Sequence, residues 1–332
     1  AGTLTLGGAN SYTGTTTVNA GTLALGASSV LPNTGVTVDG ATAVLSLGAY
    51  SNTVGAVALK NGATINGTTG VLTGSSYSVE SGSIGAILGG TGGLTKATAG
   101  TVTLSGANTY SGTTTVNAGT LVLAGGSAIA DAATVNLANV TGATLQLNAS
   151  ETIGSLTGGG ASGGNVNLQS YTLTVGGGAS GSANSTFNSG GTISGTGGLT
   201  QSGSGYLYLS GTHSYSGTTT VAGSGYLEVS GAALSIANSV LNVTSANSKA
   251  VDIWAGKLTV RGLTGTGAIV ANGAYNNGAG WWWNTSPTSL AITTPLNETY
   301  TFSGSLNNGT WNGSAVMTVE KSGAGTQVLT GT

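Results

Sequence analysis

Few side chains of this sequence could carry out acid–base, nucleophilic or metal chemistry. The 332 residues include one histidine, eight Asp or Glu, six Lys or Arg and no cysteine. A Ser–His–Asp hydrolase would have to use His213, and no Asp lies near it in sequence. Two similar segments carry Asn10 and Asn108 at the corresponding position, so we interpret His213 as a substitute for a turn asparagine. Without cysteine there is neither a thiol nucleophile nor a disulfide framework.

The acidic residues are too scattered to indicate a catalytic pair, although stacked coils could bring two of them together. A glycosidase needs two carboxylates beside one sugar bond. The densest charged group supplies a single carboxylate, short of what a calcium site needs, and we expect it to be a solvated, mutually paired patch. It consists of Lys249, Asp252, Lys257 and Arg261. We therefore predict a protein that is not an enzyme and that uses no metal and no cofactor.

An unusual group of tryptophans lies near the C-terminus. Trp281, Trp282 and Trp283 are consecutive in a Gly- and Asn-rich stretch, and Trp311 follows. Exposed Trp rings stack on sugars or fill a pocket of a partner, so these residues are a candidate contact surface. They could equally cover an exposed edge of the core. We expect residues from about 275 to 300 to form an excursion from the regular fold.

The charge content excludes two classes of partner. Charged residues make up 4% of the chain and the net charge is −2, where roughly 25% charged residues is usual. Nucleic acids and anionic membranes are bound through clustered Lys and Arg, so we expect neither as a partner. The apolar runs are shorter than the roughly 18 residues that span a bilayer, so we predict no membrane insertion by this segment.

A repeated block dominates the sequence. It runs from Gly92 to Leu123, and a second copy runs from Gly197 to Val229. Partial copies occupy residues 1–25 and 320–332. Repetition at a fixed spacing indicates a solenoid, in which each unit buries its apolar side against the next. We predict one continuous solenoid over 1–332, with superrepeats at about 1–91, 92–196 and 197–319 and a partial repeat at 320–332.

The local pattern is one short strand after another. Segments such as Thr101-Val102-Thr103-Leu104 alternate apolar and polar residues with period two, and clusters of Gly, Asn and Ser separate them. No segment shows the helical periodicity of 3.6. The sequence therefore predicts an all-β parallel β-helix, with coils of roughly 20 to 25 residues stacked at the strand spacing of about 4.8 Å.

The block resembles the autotransporter-associated β-strand repeat, also called the passenger-associated transport repeat. The resemblance rests on Gly-Thr-Gly-Gly-Leu-Thr-Lys at 90–96, Ala-Asn-Thr-Tyr-Ser-Gly at 107–112 and Val-Asn-Ala-Gly-Thr-Leu at 116–121. It implies a right-handed parallel β-helix that a Gram-negative-type bacterium exports and displays on, or sheds from, its surface. The function that it implies is adhesion or self-association.

The two ends of the chain are in the same phase of the repeat. Residues 324–332 align with residues 1–9, which places Val328 and Leu329 opposite Thr5 and Leu6. Unpaired strand edges invite pairing with another chain. We expect Thr3, Leu4, Leu6, Val328 and Leu329 to mediate head-to-tail association into a filament, or contacts with neighbouring repeats of a longer chain. The predicted function is an extracellular structural or adhesive surface protein; the alternative is a passenger adhesin that binds carbohydrate or a cell-surface receptor through Trp281–Trp283.

Overall fold

The chain folds as stacked β-coils. The computed structural model describes residues 2–176, 184–188, 190–230, 233–254, 256–272, 274–276, 281–283, 288–309 and 316–331. In these residues there are strands and no helix. Within each of the two compact units described below, the strands form stacked parallel sheets of a β-solenoid, which confirms the predicted fold class. The right-handed sense stays a prediction.

The residues group into two compact units, Ala1–Gly154 with Gly163–Asn165, and Ser155–Ser162 with Val166–Thr332. One continuous solenoid, with its superrepeat boundaries, stays a prediction.

The strands of the first unit are β1 (Thr3–Leu6), β2 (Thr16–Val18), β3 (Gly21–Leu25), β4 (Val36–Asp39), β5 (Ala43–Ser46), β6 (Asn52–Lys60), β7 (Ala63–Asn66), β8 (Val71–Val79), β9 (Gly82–Ile84), β10 (Ile87–Gly89), β11 (Leu94–Lys96), β12 (Thr101–Leu104), β13 (Thr114–Val116), β14 (Thr120–Leu123), β15 (Thr134–Leu137), β16 (Thr144–Leu147) and β17 (Glu151–Ile153).

Two parallel ladders run through the first unit. One has the order β1-β3-β5-β7-β9-β12-β14-β16, and the other has the order β2-β4-β6-β8-β11-β13-β15. Each strand pairs with its equivalent in the next coil, so that Thr3 lies beside Thr22 and Thr120 lies beside Thr144. The coil length predicted from the sequence is therefore close to the observed one in this unit.

The core of the first unit consists of stacked columns of aliphatic side chains. In β5, Ala43 and Leu45 are buried, while Val44 and Ser46 point to the outside and are half-buried. Because parallel strands in register place equivalent residues one above another, Leu45 lies on Leu23 and under Ile65. The column continues through the later coils as Ile84, Leu104, Leu123 and Leu147.

The second unit repeats this architecture with coils of more variable length. Its strands are β18 (Ser155–Gly159), β19 (Asn165–Asn167), β20 (Leu173–Val175), β21 (Ser185–Asn188), β22 (Ile193–Ser194), β23 (Leu199–Gln201), β24 (Tyr206–Leu209), β25 (Gly211–Thr212), β26 (Thr219–Val221), β27 (Tyr226–Ser230), β28 (Leu234–Val243), β29 (Val251–Trp254), β30 (Lys257–Gly265), β31 (Ile269–Asn272), β32 (Ala274–Asn276), β33 (Trp281–Trp283), β34 (Thr288–Ile292), β35 (Thr299–Phe302), β36 (Leu306–Asn308), β37 (Met317–Lys321) and β38 (Thr326–Leu329).

In the described residues the ladders of the second unit are parallel, and the antiparallel pair β32–β33 forms a separate sheet. The parallel ladders follow the orders β20-β23-β26-β28-β30-β34-β37 and β21-β24-β27-β29-β31-β36, and β35 pairs with β30 and β38. Leu199 pairs with Thr219 in a coil of the predicted length, whereas Leu258 pairs with Leu290 across a longer one. The longer coil contains the antiparallel pair β32–β33, which is why it exceeds the predicted length.

Candidate functional site: the repeat block and the end coils

The asparagine of the complete block in the first unit ties neighbouring coils together. Asn108 follows β12 and is buried. Its Oδ1 accepts a hydrogen bond from the Leu88 amide at 2.7 Å, and its Nδ2 donates to the Ala128 carbonyl at 2.7 Å. Leu88 lies one coil before Asn108 and Ala128 lies one coil after it. One side chain therefore satisfies backbone groups on both sides of its own coil.

Two residues further along, each full copy of the block buries a tyrosine. The Tyr110 hydroxyl bonds the Thr114 Oγ1 at 2.6 Å, and the Tyr215 hydroxyl bonds the Thr219 Oγ1 at 2.6 Å. Both tyrosines are fully buried, and burial raises their pKa. The Tyr110 ring also packs against Tyr77 of the preceding coil at 5.9 Å. These hydroxyls are structural, because burial keeps them neutral and hydrogen-bonded.

His213 occupies the asparagine position in the second unit, which confirms the interpretation from the sequence. Its Nδ1 accepts the Ile193 amide at 3.2 Å, as Asn108 accepts the Leu88 amide. The ring is buried and packs against Phe187 at 5.9 Å. Burial lowers the pKa of His213 to about 4, so the ring is neutral at pH 7. Because its Nδ1 accepts a hydrogen bond from a backbone amide, the neutral ring has a structural role.

A buried carboxylate that the sequence analysis did not single out bridges two coils of the first unit. Glu151 Oε1 accepts the Ile129 amide at 2.8 Å, and Oε2 accepts the Ala128 amide at 3.1 Å. Asn52 makes the same kind of bond to the Leu31 amide at 2.9 Å. Burial raises the pKa of Glu151 to about 7, against the lowering effect of the two amides. The sequence pattern that could have indicated this role is the alignment of Val54-Gly55 with Ile153-Gly154. This alignment puts Glu151 at the position of the repeat that Asn52 occupies.

A buried lysine joins the block to the following coil. The Lys96 ammonium donates to the Thr98 carbonyl in its own turn and to the Ala118 carbonyl of the next coil at 3.1 Å. Desolvation lowers the pKa of Lys96, while the Glu80 carboxylate raises it. The sequence placed this lysine in the repeat but gave no sign that it is buried.

The charged group at residues 249–261 was expected to be a solvated patch paired within itself, and the expected pairing was wrong for Lys257 and Arg261, although Lys257 is exposed. Asp252 is buried, Lys257 pairs with Glu320 at 2.6 Å, and Arg261 pairs with Glu298. Hydrogen bonds from Arg261 and Tyr300 lower the pKa of Glu298 to about 2. Glu320 lies in β37 and Glu298 lies immediately before β35, each more than thirty residues from its partner, which the local sequence does not reveal. Within the described residues no three His, Asp or Glu side chains are grouped as metal ligands.

The first coil presents an open apolar face. Strands β1 and β2 each have a strand partner on one side only in the described part of the chain. Leu4 is 62% exposed and Tyr12 is 40% exposed, Thr3 is exposed and Leu6 is half-buried. A cavity of about 490 Å³ opens between these side chains and Val18 and Leu23. The Tyr12 hydroxyl bonds the Thr16 Oγ1 at 2.6 Å, as Tyr110 bonds Thr114 inside the chain, but the Tyr12 side chain is exposed and that of Tyr110 is buried.

The last coil presents a second open face. Strand β37 pairs with β34, and β38 pairs with β35, and the described residues provide no strand on the other side. Leu329 is 46% exposed and Val328 is 37% exposed. The Lys321 ammonium donates to the Gly323 carbonyl at 3.0 Å, as Lys96 donates to Thr98. The structure thus places all five residues of the predicted ends on exposed or half-buried coil edges.

The tryptophans predicted as a contact surface lie on a separate hairpin, as far as the structure describes them. β33 pairs antiparallel with β32, with Tyr275 opposite Trp282, and the two strands form a sheet of their own. Trp311 lies outside the described residues. The described residues contain no helix with the length and hydropathy needed to cross a bilayer.

Comparison with known families identifies the repeated block. The family model for the passenger-associated transport repeat matches residues 1–25, 94–123, 199–229 and 319–332. Three of the matches, at 94–123, 199–229 and 319–332, begin at the same position of the repeat. Two of the matches, at 1–25 and 94–123, end at the same position of the repeat. No curated protein and no solved structure gave a significant match.

Proposed function

The chain is a passenger-associated transport repeat protein with a parallel β-solenoid of passenger type, and we propose that it is a non-enzymatic structural element of the bacterial surface that associates head to tail. The repeat implies an autotransporter passenger-like domain, and its family suggests a secreted or cell-surface protein of Gram-negative bacteria. Members of this repeat family are generally structural or adhesive. Head-to-tail association is the specific part of the proposal.

The observation that carries the proposal is the match between exposed end residues and buried internal ones. Tyr12 is 40% exposed, whereas its equivalents Tyr110 and Tyr215 are fully buried. Leu329 is 46% exposed, whereas its equivalent Leu104 is fully buried. Each end therefore exposes the surface that another coil of the same repeat covers inside the chain.

The physical driving force is the burial of these apolar faces and the pairing of free strand edges. Burying a Leu side chain stabilises an interface by roughly 1.5–3 kcal/mol. Unpaired N–H and C=O groups on an edge strand template the addition of another strand. A head-to-tail contact that does not close on itself generates a filament. The low charge of the chain adds little repulsion between copies.

Sedimentation velocity of the purified chain tests the proposal. We expect species larger than the monomer whose share grows with concentration. Tyr12→Lys and Leu329→Lys should each yield monomers, because each places a charge where the internal copies bury an apolar side chain. Val140→Lys is the matched control, since Val140 is 46% exposed away from the end coils. A wild-type chain that stays monomeric at high concentration would contradict the proposal.

The tryptophan hairpin supports a second candidate function, an adhesin that binds carbohydrate or a cell-surface receptor. The observation that favours it is that β32 and β33 are not strands of the parallel ladders. A hairpin outside the ladders can carry aromatic residues to a partner without disturbing the coils. Binding to a glycan array should be lost in a variant with Trp281, Trp282 and Trp283 replaced by Ala, and retained in Tyr12→Lys. Equal binding by both variants would exclude this candidate.

A further inference from the structure

The two full copies of the block place different polar side chains inside the same turn. Lys96 is the last residue of β11 and Gln201 is the last residue of β23, and both side chains are buried. The Lys96 ammonium donates to the Thr98 carbonyl in its own turn and to the Ala118 carbonyl of the next coil at 3.1 Å. In the first unit this turn therefore holds a positive group on backbone oxygens.

Gln201 replaces this lysine only in part. Its Nε2 donates to the Gly205 carbonyl at 2.8 Å. Its Oε1 is buried and has no hydrogen-bond partner in the part of the chain that the structure describes, and such an oxygen is costly to bury. A glutamine side chain is also one bond shorter than a lysine side chain. The amide therefore brings neither the charge nor the full length of Lys96 to the turn.

Backbone carbonyl groups converge beside the Gln201 amide. A Cβ built on Gly225 would lie 2.3 Å from the Gly205 oxygen, 2.4 Å from the Gly203 oxygen and 2.8 Å from the Nε2 of the glutamine. The turn of the first unit has the same arrangement, since a Cβ on Gly119 would lie 2.4 Å from each of two carbonyl oxygens. The oxygens that surround the lysine in one unit therefore surround the glutamine in the other.

The two following coils of the second unit add further oxygen atoms. Gly223 is the equivalent of Ala118 in the alignment of the two blocks, so its carbonyl is at the position that accepts from the lysine in the first unit. The buried Ser245 Oγ lies 3.1 Å from the Gly223 oxygen and 3.0 Å from the Gly225 oxygen. A hydroxyl has one proton and cannot serve both carbonyls at once. The turn is therefore rich in oxygen acceptors, which are the ligands that hard cations take.

The character of these ligands indicates the charge of the ion. The amide, carbonyl and hydroxyl oxygens are all neutral, whereas sites for Ca²⁺ are built around carboxylates. Rings of backbone carbonyls replace the hydration shell of K⁺ in proteins. The third copy of the turn again has a lysine, and the Lys321 ammonium donates to the Gly323 carbonyl at 3.0 Å. A single positive charge is thus what the same turn holds in the copies that have lysine.

We propose that the Gln201 turn binds a monovalent cation, K⁺ or Na⁺, in the place that the Lys96 ammonium takes in the first unit. Gln201 Oε1 and the carbonyl oxygens of Gly203 and Gly223 are the ligands. The ion stabilises the second unit from inside and is independent of any association between copies. The proposal departs from the expectation of no metal, which considered acidic side chains and not backbone oxygens.

Hydrogen exchange of the full chain in different chloride salts tests the site. KCl, NaCl, CaCl₂ and choline chloride are compared at equal ionic strength, because choline is too large to take the place of an ammonium between carbonyls. The reporters are peptides with the Ala222 and Tyr226 amides, which donate to the Gln201 and Gly205 carbonyls. At a concentration ten times the dissociation constant of the ion, their exchange should slow about tenfold relative to choline chloride.

The first unit provides an internal control in the same sample. The Asn117 and Thr120 amides donate to the Lys96 and Gly100 carbonyls, which are the equivalent bonds. Peptides with these amides should exchange at the same rate in KCl and in choline chloride, because the lysine already supplies the positive charge. An equal slowing at both turns would be a general salt effect and would overturn the proposal.

Gln201→Lys supplies the ion's charge covalently. This variant should exchange slowly at Ala222 and Tyr226 in choline chloride, and KCl should slow it no further. Gln169→Lys is the matched control, since Gln169 is an exposed residue of the same unit and its replacement should leave the response to K⁺ intact. A K⁺ response that persists in Gln201→Lys would overturn the proposal.

Crystals grown with RbCl locate the ion directly. We expect an anomalous peak beside Gln201 Oε1, and none at that place in crystals of Gln201→Lys. Exchange rates that are equal in all four salts would overturn the proposal, because a water molecule at Oε1 would give no dependence on the cation. A stronger response to Ca²⁺ than to K⁺ and Na⁺ would overturn the assignment of a monovalent ion.

Discussion

Replacing Asn108 with alanine should be among the most destabilising single changes in the first unit. The substitution leaves the Leu88 amide and the Ala128 carbonyl without the partner that each has at 2.7 Å. A buried backbone group that loses its partner costs about 1–3 kcal/mol. The two groups together give an expected loss of about 2–6 kcal/mol in the free energy of unfolding.

Two matched variants separate the bridging role from the loss of a polar side chain. Asn10 is the same residue in the first coil, where Nδ2 donates to the Gly8 and Val30 carbonyls and the side chain is half-buried. Asn10→Ala should therefore cost less than about 1 kcal/mol, because water can reach the groups it leaves. Asn108→His copies the arrangement of His213, which retains the acceptor role, and should cost less than Asn108→Ala.

Urea unfolding combined with hydrogen exchange measures these differences. The shift of the urea midpoint gives the change in stability, and the exchange rate of peptides containing Leu88 reports the local opening. Asn108→Ala should speed exchange at Leu88 far more than Asn10→Ala speeds exchange anywhere in the first coil. Equal midpoints for Asn108→Ala and Asn10→Ala would refute the idea that this amide holds coils together.

Three further substitutions test buried groups of the two units. Below about pH 6.5 the unfolded chain binds a proton at His213 that the folded chain, with a His213 pKa of about 4, does not bind. The free energy of unfolding of the second unit should therefore decrease as the pH is lowered from about 6.5 to about 4, and His213→Asn should reduce this decrease. Glu151 is the opposite case: its folded pKa of about 7 exceeds the ordinary value of 4.5, so the first unit should gain stability as pH falls through this window, and Glu151→Gln should remove the gain. Urea midpoints at pH 7.5, 5.5 and 4 check both, and a pH profile unchanged by either substitution would contradict them. Tyr215→Phe should lower the free energy of unfolding by about 1 kcal/mol, because it removes the hydrogen bond to the buried Thr219 hydroxyl. Tyr12→Phe, at an exposed position, should lower it by almost nothing. Equal melting temperatures for the two variants would contradict a structural role for the buried tyrosine–threonine hydrogen bond.

The sequence predicted the fold because the information for a solenoid is local and repeated. Alternation in segments such as Thr101–Leu104 sets which side chains point inward, and repetition of the block sets which residues stack. The turn role of His213 followed from its alignment with Asn108.

The buried polar groups could not be predicted in the same way. Lys96 and Glu151 bind backbone groups about twenty residues away, and a backbone carbonyl or amide leaves no mark on sequence composition. The ion pairs Lys257–Glu320 and Arg261–Glu298 depend on which distant strands become neighbours. The excursion expected at about 275–300 and the contact role of its tryptophans stay predictions.

Cryo-electron microscopy of the assembled chain tests the central claim most directly, namely that coils of this repeat complete one another across chain ends. The account predicts single-stranded filaments in which the spacing of about 4.8 Å between coils continues through each junction between copies. Particles that remain separate monomers, or copies that associate side by side with both end coils open to solvent, would contradict it.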